Sequence, residues 1–177
     1  MSSTVLTKTE NCDKIEMKTT ERGVKMKILV SACLLGEPCR YDGKSKPCEA
    51  VLQLAKEHTL FPVCPEVLGG LPTPRIPSER QSDGRVKNAA GEDVTVAYQR
   101  GAQESLRIAQ AEGIKLAILK ERSPSCGCSK IYDGSFSKRL TDGKGTTAEL
   151  LQKHGVRVIG ESELEKLDSL NGSEDTK

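Results

Sequence analysis

Aromatic side chains are nearly missing from this 177-residue chain, which has no Trp, two Phe and three Tyr. A surface that stacks successive bases is therefore not expected. Long apolar runs are missing too: nothing approaches the roughly 18 consecutive apolar residues of a membrane helix, so no membrane partner is expected. Neither sign of charge dominates, because 27 basic side chains meet 25 acidic ones for a formal net charge of +2. No strong field draws such a protein to a polyanion, which favours a small molecule over nucleic acid as partner. No segment joins a charged start, an apolar run and a small-residue cleavage site as a signal peptide does. A cytoplasmic location is the expectation.

Histidine is scarce as well. Neither His58 nor His154 falls in a loop that gathers other metal ligands, so a mixed Cys and His zinc site has little support. No CxxC pair occurs, which weakens both a zinc-ribbon and a thioredoxin-like reading. What the chain does have is seven cysteines. A single domain of this length buries a core without disulfides or structural zinc, so the thiols call for another explanation. In a reducing compartment, clustered thiols point to metal or catalysis more than to crosslinks.

Residues 1–25 and 168–177 are polar, lack periodicity and read as disordered tails around a single domain at 26–167. Within it, strand and helix patterns alternate. Strands are expected at 28–32, 60–64, 115–120 and 156–159. Helices are expected at 48–57, 96–112 and 146–154, with Gly113 and Gly155 as stops, and a final helix starts with Ser162 as its cap. The Pro- and Gly-rich passage 65–77 reads as a shaped loop. Residues 85–87 and 92–95 flank a four-residue turn and suggest a small hairpin, and a second short hairpin is built round Asp133-Gly134. Strands alternating with crossover helices imply an α/β fold, a three-layer sandwich with a mostly parallel central sheet and small hairpin insertions.

Cys33, Cys64 and Cys126 each sit where a short apolar run ends, in MKILVSACLLG, TLFPVCPEVLGG and KLAILKERSPSCG. An open α/β sheet gathers ligands beyond the carboxyl ends of its parallel strands. Three thiolates brought there can hold iron with one coordination position left free, or form an open zinc centre. One lone cysteine in apolar surroundings is an ordinary small core residue; three at equivalent strand ends are not so easily explained.

The segments SACLLG with RYDG, PVCPEVLGGLPTPR, KERSPSCG with YDG, and the run GTTAELL occur in this order from about residue 27 to 162. In these motifs the chain resembles the thiouracil desulfidase family. The resemblance implies a Rossmann-like domain that binds a 4Fe-4S cluster through Cys33, Cys64 and Cys126, with one iron open. It also implies a non-redox reaction, in which the sulfur of a thiolated pyrimidine binds the free iron, water replaces it at carbon, and hydrosulfide leaves. Base, nucleoside, nucleotide and thiolated tRNA all remain open as substrates, with tRNA not favoured.

Water needs activation, and Glu66, two residues beyond Cys64, is the candidate general base. Ser123, three residues before Cys126, is a candidate to orient substrate or relay a proton, a role the resemblance supports. Ser125 either does the same or satisfies backbone groups in its turn. Asp42 either accepts a hydrogen bond from a pyrimidine N–H or shapes the Tyr-Asp-Gly turn. Arg75 either contacts a substrate oxygen or phosphate or pins its loop to the domain, and Lys120 either offsets thiolate charge or is a solvated strand end.

Four cysteines fall outside the motif positions. Cys12 lies in the tail. Cys128, two residues past Cys126, is placed to close the free iron, and Cys39 and Cys48 raise the same possibility more faintly. A fully cysteine-ligated cluster would suit an iron-sulfur carrier or redox sensor, the rival reading, with a zinc-binding structural module as a third.

Overall fold

Two apolar faces on one strand set the architecture. In the computed structural model, which describes residues 24–164, the chain runs β1 (Lys27–Ser31), α1 (Glu49–Gln53), β2 (Thr59–Val63), α2 (Pro65–Leu68), β3 (Ser78–Arg80), β4 (Val86–Asn88), α3 (Thr95–Ala111), β5 (Leu116–Leu119), β6 (Lys130–Tyr132), β7 (Leu140–Asp142), α4 (Thr146–Lys153) and β8 (Arg157–Gly160). Successive side chains of a strand point to opposite faces. Ile28 and Val30 of β1 therefore join Val51, Leu54 and Ile118 in a core under α1. Leu29 joins Leu106, Ala109, Ala148 and Leu151 in a second core under α3 and α4. Each fully buried Val, Leu or Ile side chain contributes roughly 1.5–3 kcal/mol of transfer free energy.

The central sheet has the order β2-β1-β5-β8, and every pairing in it is parallel. Helical layers on both faces make it a Rossmann-like α/β sandwich, as expected. Pro62 in β2 is tolerated because β2 is an edge strand, where a missing N–H breaks no ladder bond. Two small antiparallel pairs, β3 with β4 and β6 with β7, are appended.

Local structure departs from the sequence pattern in several places. Residues 65–77 are not all loop, because α2 occupies Pro65–Leu68 with its proline in the first turn. Proline suits that position, where its missing N–H would be unpaired anyway. The helix expected at 48–57 ends at Gln53 and tightens into a 3-10 turn over Leu54–Lys56. The turn at 88–91 forms, with the Asn88 side chain accepting the Ala90 and Glu92 N–H groups at 3.0 Å each. Yet β4 pairs with β3, and the chain beyond the turn returns only through a bridge between Lys87 and Asp93. Asp93 Oδ1 accepts the Thr95 N–H at 2.9 Å, so the backbone there leaves the extended state to start α3. The Asp133-Gly134 turn belongs to a wider loop, since Tyr132 pairs with Leu140. After β8 the described residues contain only a 3-10 turn at Glu161–Glu163, capped by Gly160 and not by Ser162. The expected tails, and any helix beyond residue 164, lie outside the described residues except for residues 24 and 25.

One helix crossing positions the site. A Cβ on Gly101 of α3 would lie 1.8 Å from the Pro65 carbonyl oxygen, and one on Gly69 would lie 2.0 Å from that of Ala97. Only glycine lets α2 and α3 touch backbone to backbone. That contact fixes α2, and with it Glu66.

Candidate functional site

The chain passes from β1 to β2 on one side and then to β5 on the other. Strand order therefore reverses at the β1–β5 boundary, where open α/β sheets hold their ligands. Ser31 Oγ, at the end of β1, accepts the Lys120 N–H at 2.9 Å just past β5, and so ties the two strand ends together.

Three loops bring cysteines to this crevice. Cys33 lies in a 3-10 turn directly after β1 and is buried. Cys64 is the residue between β2 and α2, and its Sγ donates to the Cys39 carbonyl at 3.5 Å. Cys126 follows β5 in a loop seated on the start of α4. The Thr146 N–H donates to Pro124 O at 3.0 Å and the Thr147 N–H to Ser125 O at 2.9 Å, so loop carbonyls satisfy the first donors of the helix. Gly145 makes this close fit feasible, for a Cβ there would sit 2.3 Å from the Ser125 carbonyl. Cys33, Cys64 and Cys126 line one cavity of about 1110 Å³, and Glu66, Arg75 and Ser123 share it.

Burial and a neighbouring thiol act on two of these cysteines. Burial pushes Cys126 up to about 12, against the Ser31 and Ser123 hydroxyls that favour its thiolate. Cys64 is driven well above the ordinary thiol range by the Cys39 thiol beside it and by burial. Such thiols ionise near neutral pH only when a cation takes the place of the proton, as in metal binding.

The other candidate residues separate cleanly. Ser123 Oγ accepts the backbone N–H groups of Ser125 and Cys126 at 3.1 Å each, so it shapes the loop while facing the cavity. Ser125 is fully buried with its hydroxyl 2.9 Å from Thr147 Oγ1; it holds the loop to α4 and does not meet the cavity. Asp42 accepts the Lys44 N–H at 3.1 Å and pairs with Arg40 at 3.4 Å, shaping its turn outside the cavity wall. A substrate-binding role for Ser125 or Asp42 is therefore not what the geometry describes.

Arg75 lines the cavity, yet its guanidinium is engaged on every nitrogen. Nε donates to Glu66 Oε2 at 2.6 Å, Nη1 to Pro72 O at 3.1 Å, and Nη2 to Cys39 O at 3.0 Å. Of the two roles open to it, pinning the loop is the one these bonds describe. Lys120 is ion-paired with Glu161.

One participant went unnoticed in the sequence. Tyr98 of α3 is 1% exposed, lies beside Glu66 and Ser78, and is held neutral by burial and by the Glu66 charge. The signal lay in the aromatic shortage: of five aromatics, Tyr41, Tyr98, Tyr132 and Phe136 line this one cavity. Cys39 also faces the cavity. Cys128 instead donates to Cys126 O at 3.4 Å and packs in the core under α3 and α4, which reverses the ranking expected of these two cysteines. Cys12 lies outside the described residues, and Cys48 is buried at the start of α1.

The donor set fits a cluster better than a single ion. Cys33, Cys64 and Cys126 are free thiols, soft ligands of the kind that iron-sulfur groups take. Among the described residues, no three Cys, His, Asp or Glu side chains close round one metal ion. No helix among the described residues is long and apolar enough to cross a membrane.

A Rossmann-like sheet with free thiols gathered at its switch point defines an α/β protein with a set of soft donors in its crevice. The profile of one family, 2-thiouracil desulfurase, matches residues 28–163. The chain belongs to the 2-thiouracil desulfurase family and is a desulfidase enzyme. It is 43% identical over 146 residues to the uncharacterised protein YbbK of Bacillus subtilis (strain 168), covering 77% of this chain and 97% of that one. A solved structure, the 4Fe-4S-dependent thiouracil desulfidase TudS, is 46% identical with a TM-score of 0.75, covering 82% of this chain and 97% of that one.

Proposed function

We propose that this protein removes sulfur from thiolated uracil derivatives without net redox change, converting a C=S group and water into C=O and hydrosulfide. The observation that carries the reading is the convergence of Cys33, Cys64 and Cys126 on one cavity at the sheet's switch point, with Glu66 on its wall. A 4Fe-4S cluster held by these three cysteines would supply an open, soft Lewis-acidic iron for the substrate's sulfur and so polarise the C=S bond.

Glu66 activates the water. Arg75 holds its Oε2, which leaves Oε1 as the atom that takes the proton while the water oxygen bonds to carbon. Tyr98 and the α2–α3 contact keep the carboxylate from turning away. Ser123 faces the same space and directs the substrate through its hydroxyl. The cavity, about 1110 Å³, has room for base, nucleoside or nucleotide, and a small-molecule substrate is preferred to tRNA. A reducing cytoplasm suits thiols that must stay free for iron, and residues 26–167 are taken as the one folded domain.

Anaerobic reconstitution with iron and sulfide, followed by hydrosulfide assay on 2- and 4-thiouracil and their nucleosides, tests the reading. A brown protein that releases hydrosulfide, with Cys64→Ala losing both colour and activity, is the expected outcome. A loaded wild-type cluster that releases none from any of these compounds would refute it.

A further inference from the structure

Four free thiols reach the cavity among the described residues, and the fourth is Cys39. It shares the cavity wall with Cys33 and Cys64. Its carbonyl accepts from Arg75 Nη2 at 3.0 Å, a bond that does not depend on Cys64 keeping its proton. That bond holds Cys39 through its backbone carbonyl and not through its thiol.

The mounting of Cys39 differs from that of the other three. Cys33 is buried in the turn after β1, Cys126 is buried in the loop held on α4, and Cys64 is the residue from which α2 starts. Cys39 stands in the irregular stretch between the 3-10 turn that ends at Leu35 and the start of α1 at Glu49, and like Cys64 it is half-buried. Cys128, the remaining spare thiol near the site, is turned into the core and bonded to Cys126 O. Among the described residues, Cys39 is thus the thiol placed to bind the cluster and to let go of it.

We propose that Cys39 is a displaceable fourth ligand, which occupies the open iron while no substrate is bound and yields it to the substrate's sulfur; this rests on the reading that Cys33, Cys64 and Cys126 hold the cluster. On capping, the Cys39 S–H bond breaks, the proton passes to solvent and the sulfur binds iron. When substrate arrives, that Fe–S bond breaks, the substrate's sulfur takes the position, and Cys39 regains a proton. No electron is exchanged. The cap shields the iron from water and oxidants in a cavity open to solvent.

The test is alkylation of the full-length, anaerobically reconstituted protein by a brief pulse of excess N-ethylmaleimide, with and without saturating 2-thiouracil, read by peptide mass spectrometry. A thiolate bound to iron is withheld from the reagent, so Cys39 should be modified about tenfold faster with 2-thiouracil than without it, while Cys33, Cys64 and Cys126 stay protected in both. Equally rapid modification of Cys39 in both states overturns the cap and leaves the three-cysteine site standing. Protection of Cys39 in both states makes it a permanent ligand and overturns displacement. Modification of Cys33, Cys64 or Cys126 in the loaded protein overturns the underlying ligand assignment instead. A Cys39→Ser protein that still binds a full complement of iron, yet loses its fourth iron faster to a chelator, is the companion result expected; unchanged iron loss contradicts the proposal.

Discussion

Arg75 is the residue on which the site's geometry turns. It joins a carboxylate, a proline-loop carbonyl and the Cys39 carbonyl through one planar fork. The side chains of Arg75 and Glu66 are only 6% and 14% exposed, so removing one partner strands a nearly buried charge. Arg75→Ala should cost about 3 kcal/mol in urea unfolding. Arg75→Lys should recover only part of this, since an ammonium restores the charge but not the fork. Equal stability of the alanine variant and wild type would show that the pair does not hold the loop. Glu66→Gln should keep cluster absorbance and lower turnover by about 100- to 10,000-fold, the usual worth of a positioned base. Retention of full activity would remove Glu66 from the chemistry.

At the scale of elements, two contacts carry the site, and neither could be read along the chain. The α2–α3 crossing depends on Gly69 and Gly101, which in sequence look like ordinary interruptions of a polar loop and a helix. Gly101→Ala should destabilise the protein by about 1–3 kcal/mol through overpacking against backbone. Activity should fall by more than the folded fraction does, because Glu66 rides on α2. The second contact is the Arg80–Glu149 pair, which ties β3 to the first turn of α4. Hydrogen bonds from Lys153 and Arg80 hold Glu149 below its ordinary 4.5. A carboxyl whose folded value is lowered adds stability above its unfolded value and loses it as pH falls through the folded one. Thermal melts of wild type should therefore drop below about pH 4.5 more steeply than those of Glu149→Gln; parallel acid limbs would contradict the pairing. Strand positions were legible because apolar runs such as Ile28, Leu29 and Val30 have few alternatives. The pairing of β4 with β3 was not, since it is decided by Asp93 drawing the chain into α3.

Across the whole molecule, sequence distance explains what was hidden. Cys33, Cys64 and Cys126 were legible because each follows a strand, and parallel strands deliver their ends to one edge. The fate of Cys128 against Cys39 was not, because proximity in sequence to Cys126 says nothing of which way a side chain faces. Ser125 and Asp42 likewise lie next to cavity residues yet turn into a helix contact and a turn. Tyr98 reaches the site only because α3 crosses α2 so closely.

The claim that all this supports is a cluster with one iron that accepts the substrate's sulfur. Mössbauer spectra of protein reconstituted anaerobically with ⁵⁷Fe, recorded before and after 2-thiouracil is added, test it most directly. A single iron of the cluster should change its parameters on addition while the others keep theirs. Spectra that remain superimposable at saturating 2-thiouracil, in protein that carries a full cluster, would contradict it.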